Sequence, residues 1–456
     1  MSENNTSTES ERYRSGDIVF VLISTTLVWI MIPGLGYFYS GMARSKNALS
    51  LILLCCATVA VVSIQWWMFG YSLTFSKSGG KFIGNLDNAF FRGVANEPSV
   101  GSDTIPDSAF AIFQCMFAAI TPALAIGAAA ERGRTLPTLV FVFIWSTLIY
   151  DPIACWVWGK NGWSKNLGAL DFAGGTPIET ASGAAALAYC LVLGKRAGHG
   201  IDEFKPHNIA NVILGAVLLW FGWFGFNGGS ALAGNARAIN AFIVTNLAAS
   251  AGGITWMVVD YRLERKWSAL SFCLGAVAGM VCITPGCGYV GSAASILFGV
   301  AGGTICNFAI KLKDIFDFDD ALDVWAVHGV GGIVGNILTA IFAQKSIAIL
   351  GGEEINGGWL DGHWIQLAYN LAPTAAGCGY SFVGTYIILF TMDKFPGLSL
   401  RADAESEAKG LDESELGELA YYHVDRLITI NTRTGETKTI KEETLHQTND
   451  TNPAIV

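Results

Sequence analysis

Charge is scarce in this chain of 456 residues: Asp, Glu, Lys and Arg make up 14%, against 52% hydrophobic residues. With a mean hydropathy of +0.43, there is too little polar material to cover two or three water-soluble domains. Histidine is scarcer still, and five of the six (His199, His207, His363, His423 and His446) fall in polar connections or in the tail. The ten cysteines contain no Cys-x-x-Cys pair. Nine of them stand in apolar stretches, where they read as small packing residues. Cys287, close to Cys282 in an outer loop, offers the one conceivable bridge. Gly-Lys-Ser/Thr is missing, which excludes a phosphate loop, and no basic patch suits nucleic acid.

What is present is a succession of apolar runs, each near the roughly 20 residues a helix needs to cross a bilayer. They are expected at about 18–40, 48–75, 107–130, 136–158, 174–194, 207–232, 239–259, 268–285, 290–310, 324–344 and 367–392. Eleven spans put the two ends on opposite sides. Connections after odd-numbered spans carry twelve basic residues, Arg44, Lys46, Arg132, Arg134, Lys195, Arg196, Lys205, Arg262, Arg265, Lys266, Lys311 and Lys313, against seven after even-numbered ones. Basic residues stay on the cytoplasmic side, so the amino terminus is expected outside and the carboxyl tail inside. The expected division is an outer segment 1–17, with sequons at Asn4 and Asn5, a membrane domain 18–393 and a cytosolic tail 394–456. From Leu400 the tail carries twelve acidic and six basic residues, is expected partly helical over 403–418 and disordered past Thr432.

Two stretches stand out against this background. Asp171 opens the fifth span and Glu179 follows eight positions on; Asp320 opens the tenth and His328 follows eight positions on. Glu179 is the only glutamate well inside a span, and His328 the only histidine inside one. An ionisable group at that depth costs about 2.5 kcal/mol or more, so it faces a bundle interior or pore and has a partner. Equivalent placement in two halves suits an inverted repeat that delivers both groups to one central site. The plainer reading is a structural pair pinning two helices. Asp171 and Asp320 are read as caps for helix starts rather than substrate contacts.

Aromatic residues cluster in the outer halves of spans: Phe113 and Phe117, Trp156 and Trp158, Trp223 and Phe226, the last followed by Ser230. They serve either as an interfacial belt or as a cage for a small cation, and spacing does not choose. Asp151, followed by Pro152, is read as a satisfied structural carboxylate, the alternative being a wet vestibule or subunit interface. An intramembrane enzyme would need a nucleophile, metal cluster or phosphate loop beside Glu179 and His328, and none accompanies them. A non-selective water or gas channel is a further alternative.

Gly-Leu-Gly-Tyr-Phe-Tyr-Ser-Gly at 34–41, Gly-Ala-Ala-Ala-Glu-Arg-Gly-Arg at 127–134, Asp-Phe-Ala-Gly-Gly at 171–175, Gly-Trp-Phe-Gly-Phe-Asn at 222–227 and Asp-Val-Trp-Ala-Val-His-Gly-Val-Gly-Gly at 323–332 come in order. In these the chain resembles the ammonium permeases related to Rhesus proteins. The resemblance implies an all-α polytopic fold of eleven helices, ten of them an inverted five-plus-five repeat, and a homotrimer with one pore per subunit in the plasma membrane. It implies ammonium or methylammonium as substrate, with no cofactor and no metal. Phe113, Phe117, Trp158 and Ser230 correspond to the outer recruitment site, Phe117 and Phe226 to a stacked gate, Glu179 and His328 to the pore pair, and Asp171 to a structural aspartate. Most of the family has histidine where Glu179 stands; the glutamate is similar to one branch of fungal permeases. The tail motif ending at Glu418 resembles a regulatory segment open to cytosolic regulators, and a sensor signalling through that tail is the alternative function.

Overall fold

The computed structural model describes residues 13–201 and 204–421, with the backbone of Leu427–Ile430 and Thr437–Ile440. Apolar runs become helices because, without water, only a helix or a closed barrel satisfies every backbone N–H and C=O from within the protein. The helices are α1 (Ser15–Met42), α2 (Ala48–Gln65, prolonged through a wide π turn at Trp66–Gly70 into Tyr71–Phe75) and α3 (Asp107–Ile126). α4 runs over Thr135–Trp145, a π turn at Ser146–Tyr150 and Asp151–Trp158. Next come α5 (Ala181–Leu193, entered through the π turn Gly175–Thr180), α6 (Ile209–Trp223), α7 (Ala236–Glu264), α8 (Ala269–Ile283) and α9 (Ser292–Ala309). α10 (Gly331–Phe342) is entered through the π turn Trp325–Val330, and α11 is Gln366–Met392.

Ten of these are long and apolar enough to cross a membrane, and α8 is apolar but shorter. The sequence pattern placed all eleven, most ends within about five residues; α6 continues past Trp223 only through a π turn at Phe224–Gly228, short of the expected 232. α8 stops at Ile283 rather than 285 because the chain turns through Thr284, Pro285 and Gly286, where Tyr289 N–H donates to the Gly286 carbonyl at 2.7 Å.

Burial sorts the helices. The apolar window of α3 is 94% buried and that of α11 only 28%, so α3 is a central rod and α11 a peripheral one. Exposed apolar side chains such as Ile239, Ile243, Ile254 and Val258 on α7 give the bundle an oily exterior. Small residues let backbones meet where side-chain packing, rather than water release, holds helices together. Gly183 of α5 lies so close to the π turn before α10 that a Cβ there would stand 2.2 Å from Gly329 N. The cysteines are free thiols, Cys282 and Cys287 included.

One end of the bundle carries a buried ionic network. Arg196 is bidentate to Asp319 at 2.8 and 2.9 Å, and Arg132 Nη2 donates to the Asp319 carbonyl at 2.7 Å. Burial alone would raise the Asp319 carboxyl, but the hydrogen bonds and charge of Arg196, then the charge of Arg132, outweigh it and hold it well below the ordinary aspartate range. The tail docks beside this network. Asp412 Oδ2 and Oδ1 accept from Leu49 N–H at 2.9 Å and Ser50 N–H at 2.8 Å, capping α2 from more than three hundred residues away, while Asn47 Oδ1 accepts from Leu411 N–H at 2.9 Å. Glu407 Oε1 accepts from Ala197 N–H at 2.6 Å, and Glu415 Oε1 pairs with Arg134 at 3.0 Å.

The compact unit closes at Glu418, and Leu419–Val456 is a unit of its own. In the latter, β1 (Leu427–Ile430) and β2 (Thr437–Ile440) pair antiparallel, Leu427 opposite Ile440. The membrane body is all-α as expected; the hairpin belongs to the separate unit, where the expected disorder past Thr432 does not describe β2. The two strands are rich in threonine and isoleucine, β-branched residues that suit a strand. The Asn4 and Asn5 sequons lie outside the described residues.

Gly183→Ala is expected to lower stability by about 1–3 kcal/mol or more, since neither backbone can withdraw. The measurement is the thermal unfolding midpoint in detergent; an unchanged midpoint would contradict the close crossing.

Candidate functional site

The two ionisable residues singled out inside spans meet. His328 Nδ1 lies 2.8 Å from Glu179 Oε2, and the two are 5% and 1% exposed. Each sits in the π turn that precedes its helix, Glu179 in Gly175–Thr180 and His328 in Trp325–Val330. A π turn widens the helix by one residue and loosens its ladder, and such turns gather at functional sites. The loosening is locally repaired: Thr180 Oγ1 donates to the Gly175 carbonyl at 2.7 Å. Gly332 permits the approach, for a Cβ there would lie 2.8 Å from Glu179 Cβ. Glu179 Oε1 has no hydrogen-bond partner.

That pair closes one side of a narrow cavity. The remaining wall is apolar, with Leu35, Ile120, Leu219, Trp223 and Phe226 among its residues, and the volume is about 10 Å³, on the scale of one water-sized molecule. Phe226 belongs to the wall, and its ring lies 4.4 Å from that of Phe117 at 39°. The rest of the aromatic group stands around Phe117: Phe113 at 4.8 Å and 69°, Trp158 at 6.0 Å and 84°. Ser230 Oγ donates to the Phe226 carbonyl at 2.8 Å, one turn of chain back. Phe113, Phe117, Phe226, Trp158 and Ser230 thus form one assembly, with the rings of Phe113, Phe117 and Phe226 buried and Trp158 and Ser230 partly exposed.

The aspartates lie at the helix starts. Asp171 Oδ1 accepts from Gly174 N–H at 2.9 Å and Gly175 N–H at 2.7 Å, and Oδ2 from Thr176 N–H at 2.7 Å. Gly174 is needed there because its φ is 116°, left-handed space that a side chain disfavours. Trp158 Nε1–H donates to the Asp171 carbonyl at 3.1 Å, linking this cap to the aromatic group. Asp320 makes the lesser cap: Oδ2 accepts from Trp325 N–H at 2.7 Å and Oδ1 has no partner. Burial, then the charge of nearby Asp323, pushes the Asp320 carboxyl up to about 6.

Two supports escaped the sequence reading. α11 carries Gln366, Asn370, Thr374, Ser381 and Thr385 as a buried polar stripe. Asn370 accepts from Leu170 N–H at 3.0 Å and donates to the Asn336 carbonyl at 3.1 Å, and Asn336 donates to Thr176 Oγ1 at 3.1 Å. The stripe recurs at helical spacing, a signal the sequence displays. Arg237 is the other, stacked on Phe172 and Tyr289 at 4.5 and 4.7 Å and donating to the Gly288 carbonyl at 2.7 Å. Nothing in its local sequence names these partners. Among the described residues, no group of three or more His, Cys, Asp or Glu is arranged to hold a metal ion.

Comparison with known proteins agrees with this architecture. Residues 19–421 match the Ammonium Transporter Family. Ammonium transporter 1 of Schizosaccharomyces pombe is 54% identical over 415 residues, 91% of this chain and 84% of that protein. The crystal structure of Candida albicans Mep2 superposes with a TM-score of 0.84 at 47% identity, covering 88% of this chain and 89% of that one. A solved Sensor Amt Protein superposes with a TM-score of 0.80 at 28% identity over 90% of this chain and 100% of its own.

Removing the Asp171 carboxylate strands three N–H groups, each charge-assisted bond being worth about 1.5–3 kcal/mol. Asp171→Ala is expected to lose most folded protein and Asp171→Asn, which keeps one acceptor oxygen, to fall between it and the wild type. Size-exclusion recovery and unfolding midpoint in detergent check the order; equal recovery of all three would remove the cap's importance.

Proposed function

Because this chain belongs to the ammonium transporter family, is a multi-pass membrane protein and transports ammonium, we propose that it recruits NH4+ at the outer aromatic group, deprotonates it and conducts NH3 past the Glu179 and His328 pair. The proton left behind is relayed by that pair, so that net uptake is of NH4+ and electrogenic. The carrying observation is the buried 2.8 Å contact between Glu179 and His328 at the wall of an apolar cavity of about 10 Å³.

The physics supports this division of labour. Dehydrating an ammonium ion in an apolar passage costs many times what dehydrating neutral ammonia costs, so a passage that admits only the neutral molecule excludes sodium and potassium. The ring faces around Phe113, Phe117 and Trp158 attract a small cation by their quadrupoles, and Ser230 supplies a hydroxyl oxygen beside them. Phe117 over Phe226 then forms a gate that opens by ring rotation. Asp171 and Asp320 act through the helix starts they cap, keeping the two π turns in register.

A proton cannot follow ammonia through an apolar wall unaided and needs titratable groups in hydrogen-bond reach of one another. Glu179 and His328, 2.8 Å apart, form such a unit. The glutamate gives this pair a different charge balance from two histidines: one proton shared between a carboxylate and an imidazole leaves no net charge, as acid and imidazole or as carboxylate and imidazolium, where two imidazoles sharing that proton are cationic.

The orientation that the loop charges favour puts residues 1–17 outside, the membrane domain at 18–393 and the tail from 394 in the cytosol of a plasma-membrane homotrimer. The tail then regulates flux, because Glu407 and Glu415 hold two separate connections, and Asp412 the start of α2, at the basic end of the bundle. Those same contacts, with the likeness to a solved Sensor Amt Protein, favour a second reading in which ammonium binding moves the tail to signal. Truncation after Leu400 that abolishes signalling and spares flux would support the sensor.

In proteoliposomes, Glu179→Gln is expected to reduce ammonium-evoked current to near background, and Glu179→His to preserve current with a displaced pH profile. Methylammonium and potassium measured alongside give the selectivity. Full current from Glu179→Gln would end the relay reading.

A further inference from the structure

Asp151 is a buried carboxyl that the transport reading leaves unused. It follows the π turn Ser146–Tyr150 of α4, and opposite it Gln65 precedes the π turn Trp66–Gly70 of α2. Asp151 and Gln65 are each 0% exposed. Gln65 Nε2 donates to Asp151 Oδ2 at 2.8 Å and to Thr147 Oγ1 at 3.1 Å. Here the expectation of a satisfied structural carboxylate fails. Asp151 Oδ1 closes no hydrogen bond, nor does Gln65 Oε1, and the Thr74 hydroxyl stands beside the same carboxyl as a second, loosely placed donor. Among the described residues no Lys, Arg or His stands against Asp151; its neighbours are Gln65, Thr74, Tyr150 and Cys155.

An ionised carboxylate seeks several donors and, in a water-free interior, a counter-charge; with one amide N–H, one loosely placed hydroxyl and no cation it costs several kcal/mol. The two bare atoms on the joined side chains are both oxygens, and both are acceptors as long as Asp151 is ionised. One proton resolves the mismatch. Placed on Oδ1 it turns that atom into a donor, and a carboxylic acid then matches a primary amide donor for acceptor, through Nε2–H to Oδ2 and Oδ1–H to Oε1.

We propose that Asp151 is a proton-binding site separate from the Glu179 and His328 pair, holding its proton in the resting protein and joined to Gln65 as an acid and amide pair. The pair ties α2 to α4 where both helices are widened. The hydroxyl-bearing side chains that face the acid, Thr74 and Tyr150, are neutral, so no cation is there to hold it ionised. Its ligand is a proton, and the site is a neutral latch between two loosened helices.

Infrared difference spectra of the purified full-length protein, wild type minus Asp151→Asn, in H2O and D2O test this. The expected result is loss of one carbonyl band of a protonated carboxylic acid, shifted down in D2O, with the carboxylate bands unchanged. Loss of a carboxylate band instead would overturn it. Should Asp151→Asn not fold, isotope-labelled aspartate in otherwise wild-type protein identifies aspartic acid carbonyls directly, and Gln65→Met is expected to move one of them to higher frequency by removing its amide partner. A spectrum without any protonated aspartate, or one that Gln65→Met leaves unmoved, equally overturns the proposal.

Discussion

A polar group at bilayer depth has only the protein to satisfy it, and the hydrogen bond between Glu179 and His328 is where that constraint bears hardest. Neither residue would be tolerable alone among Leu, Ile and Phe side chains. Together they offset part of each other's desolvation cost, at 2.8 Å and almost fully buried, with Glu179 Oε1 left unpaired. Everything near them serves the approach: glycines at 183 and 332 that remove the bulk between helices, and two π turns that rotate the side chains inward.

The same constraint explains the capping. A helix that starts inside a membrane protein leaves its first N–H groups without water. Asp171 supplies three acceptor contacts to such a start, and α11 buttresses the same place through Asn370 and Asn336. Asp412 does the like for α2 from a distant part of the chain, which makes a tail contact part of the membrane body's own hydrogen bonding. Coupling between tail and bundle is therefore electrostatic and geometric at once: withdrawing Asp412 uncaps a helix as well as separating surfaces.

Charge and neutrality are distributed with some economy along the path. In the proposed mechanism the aromatic group takes the cation, the cavity of about 10 Å³ admits a single small neutral molecule, and the acid and imidazole pair takes the proton. The ionic residues that do not suit a passage, Arg132, Arg196 and Asp319, stand together at one end of the bundle, where they pair with one another.

Composition and periodicity by themselves determined the membrane class, the eleven apolar segments and their approximate bounds, since hydrophobic length is a local property that the bilayer reads directly. They also marked Glu179, His328, Asp171 and Asp320, because an ionisable residue inside an apolar run is conspicuous one residue at a time. That Glu179 and His328 share a site was suggested by their equivalent placement, but their hydrogen-bond contact, the lie of Phe117 over Phe226, and the bare oxygen of Asp151 beside Gln65 were decided by the tertiary structure. Those facts depend on the crossing of helices more than a hundred residues apart in the chain for the first two and more than eighty for the third, and on π turns that shift the facing of a side chain by a residue. Sequence spacing carries no information about either.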